Sequence, residues 1–323
     1  MRGRDRAQRT SRFVGACMAL WLTGCNAPAP ASGAAPALPV SEIAAGVFVH
    51  FGAIEEWQPG NAGDVANLGF IVGSRCVAVI DTGGTPQLGR RLLAAVRQVT
   101  TVPVCFVINT HAHPDHVLGN VAFKGLAGEP VRFVASARLT PALAARERYF
   151  LNTLERDFGQ RLFPGVIVYP NLPVDSTLEL ELGERKIVLN TWPTAHTDHD
   201  LSVYDRKTRT LFLSDLLFVG HLPVLDGNLR GWLGVMTSLK SLDVALAVPG
   251  HGAASTEWPA VLAPQRNYLD GLLVQTRAAI KAKMTIQQAV DAVAVAPGSS
   301  WRLTELFHRR NVTAAYAELE WED

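Results

Sequence analysis

The sequence lacks any excess of charge. Thirty Lys and Arg face 29 Asp and Glu, a net charge of +1. That excludes the strong basic stripe by which nucleic-acid-binding chains are recognised. It also lacks a long apolar run. The longest near the N-terminus, FVGACMALWL (13–22), is too short to cross a bilayer as a mature helix. No fixed-period repeat occurs, which excludes solenoids and propellers. No run of like charge extends beyond what a solvated helix face carries. Cysteine is scarce, with four in 323 residues, and histidine numbers nine. What remains is 48% hydrophobic and 18% charged, a globular composition.

The first residues read as a targeting segment to be set aside before fold reasoning. MRGRDRAQRTSR is basic, a short apolar stretch follows, and LTGC (22–25) resembles the bacterial lipobox. The expectation is a lipoprotein signal over 1–24, lipid on Cys25, and an Ala/Pro-rich tether over 25–39. Asn26 follows the cysteine where aspartate often marks inner-membrane retention, so the expected location is periplasmic, on a lipid anchor in the outer membrane. Cys17 leaves with the signal. Cys76 and Cys105 remain in an oxidising compartment, at similar heights if their strands are neighbours; they either bridge or stay buried thiols.

From residue 40 to 323 short β-rich runs alternate with turns and helices. VFVHFG (47–52) and LGFIVG (68–73) read as strands, and CVAVIDTGG (76–84) as a strand buried on both faces. Helical spacing over 85–100 and the strand VPVCFVINT (102–110) complete a parallel crossover. NVAFKG and VRFVASARL give a further strand–helix step, and 141–163 reads as an amphipathic helix. IVYP, 178–193 and 200–215 read as strands, 238–252 as a helix then a strand, and the tail from Pro259 as mostly helical. This is one α/β (α+β) domain with two sheets and helices outside.

Where the strand CFVINT ends, the chain reads NTHAHPDH (109–116). His111 and His113, two apart in an extended loop, can aim at one point; Asp115 and His116, beyond Pro114, turn towards a second. Imidazole suits zinc, and carboxylate completes a mixed shell. A His-x-His-x-Asp-His pattern arises by chance at about one position in a million. Three further donors end apolar strands: His196 in WPTAHTDHD, Asp215 in LFLSDLLF and His251 in VPGHG.

The order HAHPDH, AHT, SD, PGHG resembles the metallo-β-lactamase fold superfamily over roughly residues 45 to 255. That resemblance implies a four-layer αβ/βα sandwich with two Zn²⁺ per chain. His111, His113 and His196 would hold the first ion, Asp115, His116 and His251 the second, and Asp215 would bridge them. Ala195 stands where many members have glycine. Two zincs about 3.5–4 Å apart share a water, lower its pKa towards neutrality and make a bound hydroxide the nucleophile. Asp115 would orient it, as the catalytic carboxylate. Two aspartates and a hydroxide leave about +1 on the pair, which favours oxyanion build-up. Asp81 is expected to brace the histidine loop and Asp200 to hydrogen-bond a ligand. His199 is expected at the surface and His50 in a structural role. His221 either lines the cleft or is a hydrogen-bonded loop residue, and Trp57 either tips a substrate-covering loop or packs in the core.

A narrower resemblance reaches nearly to the C-terminus. HFGAIEEWQPGNAGDVANLGFIVG, PTAHTDHDLSVYD, DLLFVGHLPVLDGNLRGW and RNVTAAYAELEWE are similar to the quinoprotein relay system zinc metallohydrolases. This implies a periplasmic zinc hydrolase in the setting of a pyrroloquinoline-quinone-dependent dehydrogenase and its cytochrome c; it supplies no substrate, and an ester, thioester or lactone product of the dehydrogenase is the expectation. A β-lactamase, or a non-enzymatic protein that handles the quinone cofactor, are the alternatives.

Overall fold

The alternating β-rich runs form strands because their inward positions bury Val, Ile, Leu and Phe between two sheets. A computed structural model describes residues 36–160 and 165–322. The expected signal over 1–24, the expected lipid site Cys25 and the expected tether up to residue 35 lie outside the described residues. Residues 36–39, the end of the expected tether, instead lie against the domain. Leu38 is buried, its N–H bonds the Arg91 carbonyl at 3.1 Å, and the Pro39 carbonyl accepts from His50.

The first sheet runs β1 (Ser41–Ala44), β2 (Val47–His50), β3 (Leu68–Val72), β4 (Val77–Ile80), β5 (Val104–Ile108), β6 (Arg132–Ser136) and β7 (Leu172–Val174), neighbours in that order. The second holds β8 (Thr177–Glu181), β9 (Lys186–Thr191), β10 (Leu201–Asp205), β11 (Thr210–Phe218) and β12 (Leu246–His251), paired in the order β12-β11-β10-β9-β8. Strands β4 to β7 are mutually parallel, as are β11 and β12. Helices α1 (Pro86–Val99) and α3 (Leu139–Arg156) cover the first sheet, with the single turn α2 (Pro114–Val117) between them in sequence. Helices α4 (Leu229–Leu239), α5 (Ala263–Lys281), α6 (Ile286–Ala292) and α7 (Thr304–Leu319) cover the second. The apolar core between the sheets joins Val49, Ile71 and Ile108 to Leu189, Val203 and Phe212. The result is the four-layer αβ/βα sandwich.

Two further ties close it. Arg185, buried, clamps Asp205 with two 2.8 Å bonds and donates to the Ala45 and Val72 carbonyls of the first sheet. Cys76 and Cys105 are disulfide-bonded across the parallel pair β4–β5, with Cα atoms 5.5 Å apart.

Four local expectations differ from the structure. IVYP (167–170) is irregular; β7 starts only at Leu172. NVAFKG is a 3₁₀ turn rather than a strand. Helix α3 stops at Arg156, where Gly159 at φ +59 takes the left-handed conformation that ends helices. The helix expected near 238–245 lies earlier, as α4. Asn228 caps it by accepting from the Gly231 N–H at 2.6 Å.

Candidate metal centre

The loops leaving β4, β5, β9 and β12, together with the middle of β11, meet at one rim. There the side chains of His111, His113, His196 and Asp215 form one group and Asp115, His116 and His251 another. Within each group one ligand atom per residue lies within 4.8 Å of every other. The seven residues expected from sequence are therefore brought together without exception.

The donor spacing fits a metal. His113 Nδ1 lies 3.0 Å from His111 Nε2 and 3.1 Å from His196 Nε2. Asp215 Oδ2 lies 3.7 Å from His111 Nε2 and 3.4 Å from both His196 Nε2 and His251 Nε2, while its Oδ1 lies 3.3 Å from His116 Nε2. Asp115 Oδ2 is 3.5 Å from both His116 and His251 Nε2. A tetrahedron with metal–nitrogen bonds of about 2.0–2.1 Å has edges of about 3.4 Å. The buried atoms His116 Nε2 and Asp215 Oδ1 have no hydrogen-bond partner. A buried polar atom left this way is costly, and a cation would satisfy it. The Asp215 carboxylate reaches both groups.

Each imidazole is anchored by its other nitrogen, which fixes its tautomer and aim. His196 Nδ1 bonds the Val224 carbonyl at 2.7 Å, and His251 Nδ1 the Val65 carbonyl at 2.9 Å. His116 Nδ1 meets Asp81 Oδ2 at 2.8 Å, and His111 Nδ1 meets the Thr110 hydroxyl at 3.0 Å. His113 is reversed: its Nε2 bonds Asp226 Oδ2 at 2.9 Å, so Nδ1 faces the centre.

Protonation follows burial and neighbours. Burial pushes His196 down to about 4 and His111 well below its ordinary value, leaving neutral rings with free lone pairs. Burial would also lower His116, but the carboxylates of Asp115, Asp215 and Asp81 outweigh it and raise it well above the usual range. Asp215 and Asp115 also raise His251 against its burial. Burial alone would raise the Asp115 carboxyl, yet His116 and His251 hold it down to about 2.

The supporting residues are partly as expected. Asp81, at φ +55, accepts from the Thr110 N–H at 2.9 Å and the Thr110 hydroxyl at 2.7 Å as well as from His116. His50 is structural, held by Pro39 and Asp64. His221 fulfils both readings: it lines the cleft, bonds the Leu222 carbonyl at 2.6 Å, and burial pushes it down to about 4. Trp57 likewise lines the cleft while its Nε1 donates to the Gly84 carbonyl and its ring stacks on Phe158. Two expectations are corrected. His199 is buried, not superficial: its Nε2 accepts the Ala112 N–H at 2.9 Å, between two candidate ligands, and its Nδ1 bonds Asp198. Asp200 bonds no ligand histidine; it accepts from Thr197, and burial pushes it up to about 7.

Sequence reasoning missed Asp226, Asn67 and the contribution of α7. Asn67 braces the PGHG turn through the Pro249 and Gly252 carbonyls. Gly250 in that turn is required, since a Cβ there would lie 1.8 Å from Asp215 Oδ1. Asn311 of α7 bonds the Leu225 N–H and the Pro223 carbonyl, so the helical tail holds the loop that carries Val224 and Asp226. The centre opens into a cavity of about 390 Å³ lined by Trp57, Phe150, Phe218 and Phe307, with Arg146 and Arg310. A larger cavity of about 760 Å³ lies behind Phe218 and is reached by none of the seven.

The chain resembles known proteins at this level of architecture. A linear primary-alkylsulfatase from a Pseudomonas strain is 23% identical over 207 residues, 54% of this chain and 39% of that protein. A stereoselective inverting sec-alkylsulfatase from Pseudomonas sp. superposes with a TM-score of 0.68 at 17% identity, covering 88% of this chain and 51% of the other. A metallo-beta-lactamase from Pontibacter korlensis does so with a TM-score of 0.58 at 19% identity, covering 72% and 99%. The chain thus spans about two-fifths of the curated relative and half of the sulfatase structure, and identities this low speak to fold alone. The sequence profile described as Metallo-beta-lactamase superfamily matches residues 62–251, more than half of the chain. With that match, this fold and a His/Asp cluster suited to metal, the chain belongs to the metallo-beta-lactamase superfamily.

Proposed function

We propose that the protein is an exported dinuclear zinc hydrolase that cleaves a small ester, thioester or lactone in a pyrroloquinoline-quinone-linked oxidation system. The observation that carries the metal reading is the spacing of seven donors, five of them histidines whose outward nitrogens are all anchored. Two bound divalent cations would supply an acidified water and a Lewis acid for the substrate's acyl oxygen. His111, His113 and His196 would hold one, Asp115, His116 and His251 the other, with Asp215 between. His116 and His251, raised by their carboxylate neighbours, give up protons when a cation is bound. Asp115 stays a carboxylate at neutral pH and accepts a hydrogen bond from the attacking water, fixing its direction. Trp57, Phe150, Phe218 and Phe307 wall the cleft and exclude bulk water.

Export and the lipid anchor at Cys25 rest on the N-terminal sequence. The Cys76–Cys105 disulfide supports them, because such bridges persist in oxidising compartments. The quinoprotein setting, with a dehydrogenase and cytochrome c as partners, rests on the narrower sequence resemblance. Two other substrates have support: β-lactams, from the structural likeness to a metallo-beta-lactamase, and sulfate esters, from the alkylsulfatase relative.

A panel of a thioester, a lactone, an aryl ester, nitrocefin and an alkyl sulfate, assayed with and without chelator, tests the proposal. Chelator-sensitive turnover of an acyl substrate is expected. Turnover confined to nitrocefin or to the sulfate would transfer the reading to that class.

A further inference from the structure

The cleft has a corner whose charges the metal chemistry does not use. Arg146 of α3 and Arg310 of α7 both line the cavity beside His113 and Asp226. Asp226 also lines both cavities that Arg146 lines, and Arg310 lies 3.8 Å from its Oδ1. Among the described residues the arginines have little else to bond. Arg146 makes one 3.4 Å contact with the Ala142 carbonyl of its own helix. Arg310 is beyond hydrogen-bond range of Asp226 and rests 5.5 Å from the Phe307 ring centre. Each guanidinium carries five N–H donors in a planar fork suited to carboxylate.

Acids lie close by, but among the described residues no carboxylate is within hydrogen-bond distance of either guanidinium. Asp226 is engaged by His113 at 2.9 Å, and Asp198, in the adjoining groove, by His199. Glu55 and Glu56 enter the same cavity on the loop that carries Trp57, and Glu55 accepts from Asn61 at 3.1 Å. The remaining wall is apolar and aromatic. A cavity of about 390 Å³ is of small-molecule size.

We infer that Arg146 and Arg310 form an anion clamp selecting substrates that carry a carboxylate, or a group of like charge and shape, on an apolar body beside the bond to be cleaved. This deepens the hydrolase reading and rests on it. The two arginines come from elements far apart in sequence, and α7 lies outside the stretch matching the superfamily. The clamp is therefore a specificity element that the helical tail adds to the shared metal platform. In the reaction it binds and aligns the substrate, while bond breaking stays at the Asp115 side.

The test pairs two esters of one leaving group and near-equal length: mono-nitrophenyl glutarate, an anion, and nitrophenyl pentanoate, neutral. The zinc-loaded full chain is expected to favour the anion by about tenfold in kcat/KM. Arg146→Gln and Arg310→Gln should each reduce that preference about threefold, and the double variant should remove it, mostly through KM, as expected for partly exposed ion pairs. In parallel, calorimetry on metal-free protein measures phenylacetate against phenylacetamide. The wild type should bind the acid and the double variant roughly tenfold more weakly, with the amide indifferent to the change. If neither ester is cleaved but arginine-dependent phenylacetate binding persists, the clamp stands and the ester reading fails. If both esters are cleaved equally, or carboxylate binding is the same in the double variant, the clamp is overturned while hydrolysis remains.

Discussion

Asp81→Asn isolates the role of a carboxylate that touches no substrate. Asp81 sits in the left-handed region at φ +55, which asparagine tolerates nearly as well, so the backbone is not strained by the change. Its Oδ1 accepts the Thr110 N–H at 2.9 Å, and its Oδ2 accepts His116 Nδ1 at 2.8 Å. An amide has one acceptor and one donor, so either orientation sets a donor against a donor. If the amide nitrogen faces His116, the imidazole must shift its proton to Nε2, the atom 3.3 Å from Asp215 and 3.5 Å from Asp115. That proton occupies the lone pair a cation needs. If the amide reverses, the Thr110 N–H loses its partner. The loss of one buried bond to a charged group costs about 1.5–3 kcal/mol, a fall of several degrees in melting temperature. Losing a partner that orients a ligand lowers metal affinity about 10–100-fold. Competitive titration with a chromophoric chelator should show the site that includes His116 weakened by that factor and the other affected less. Unchanged affinity at both sites, with unchanged melting of the metal-free protein, would refute the tautomer argument.

Asp115→Asn should retain most of the metal yet lose turnover, because it removes the hydrogen bond that directs the attacking water; a steady-state assay beside metal analysis checks this, and full activity would remove Asp115 from the mechanism. Gly250→Ala should impair both sites at once, since the new Cβ would lie 1.8 Å from Asp215 Oδ1. Crowding of this kind costs about 1–3 kcal/mol, read as a lower melting temperature and a weaker shift on adding zinc. Asp205→Asn should destabilise by about 3–5 kcal/mol at neutral pH, because it leaves buried Arg185 unpaired. Burial raises the Asp205 carboxyl, but bonds from Arg185 and Thr208 outweigh it and hold it below the usual range. A depressed folded-state pKa stabilises above the unfolded value of about 4 and is lost as pH falls through the folded one. The gap between wild type and variant should therefore hold from pH 7 to 5 and narrow below about 4, as denaturant melts across pH can show.

The seven candidate ligands were legible because they are rare donor types placed where apolar strands end, and a metal demands those types whatever the surrounding fold. Strands β2 to β5 and helix α1 were legible for a similar reason: their periodicity is local. The supporting residues were not. Asp226 precedes a glycine and reads as an ordinary turn residue; the loop that brings it to His113 is held by Asn311, 85 positions on, and by the His196 carbonyl. His199 lies between two aspartates and reads as solvated, yet its segment folds inwards to hold the Ala112 N–H. Helix α4 starts among glycine and asparagine, where the cap rather than the apolar pattern sets its position. Such roles depend on tertiary packing, which spacing along the chain does not encode.

The proposed hydrolysis requires two cations in one cluster of seven donors. Metal content per chain, measured by plasma mass spectrometry after zinc loading and dialysis, tests it most directly. Two ions are expected in the wild type, falling towards one in His196→Ala, with chelator removing both the metal and the hydrolytic activity. Less than one ion per wild-type chain, or activity indifferent to its removal, would contradict the account.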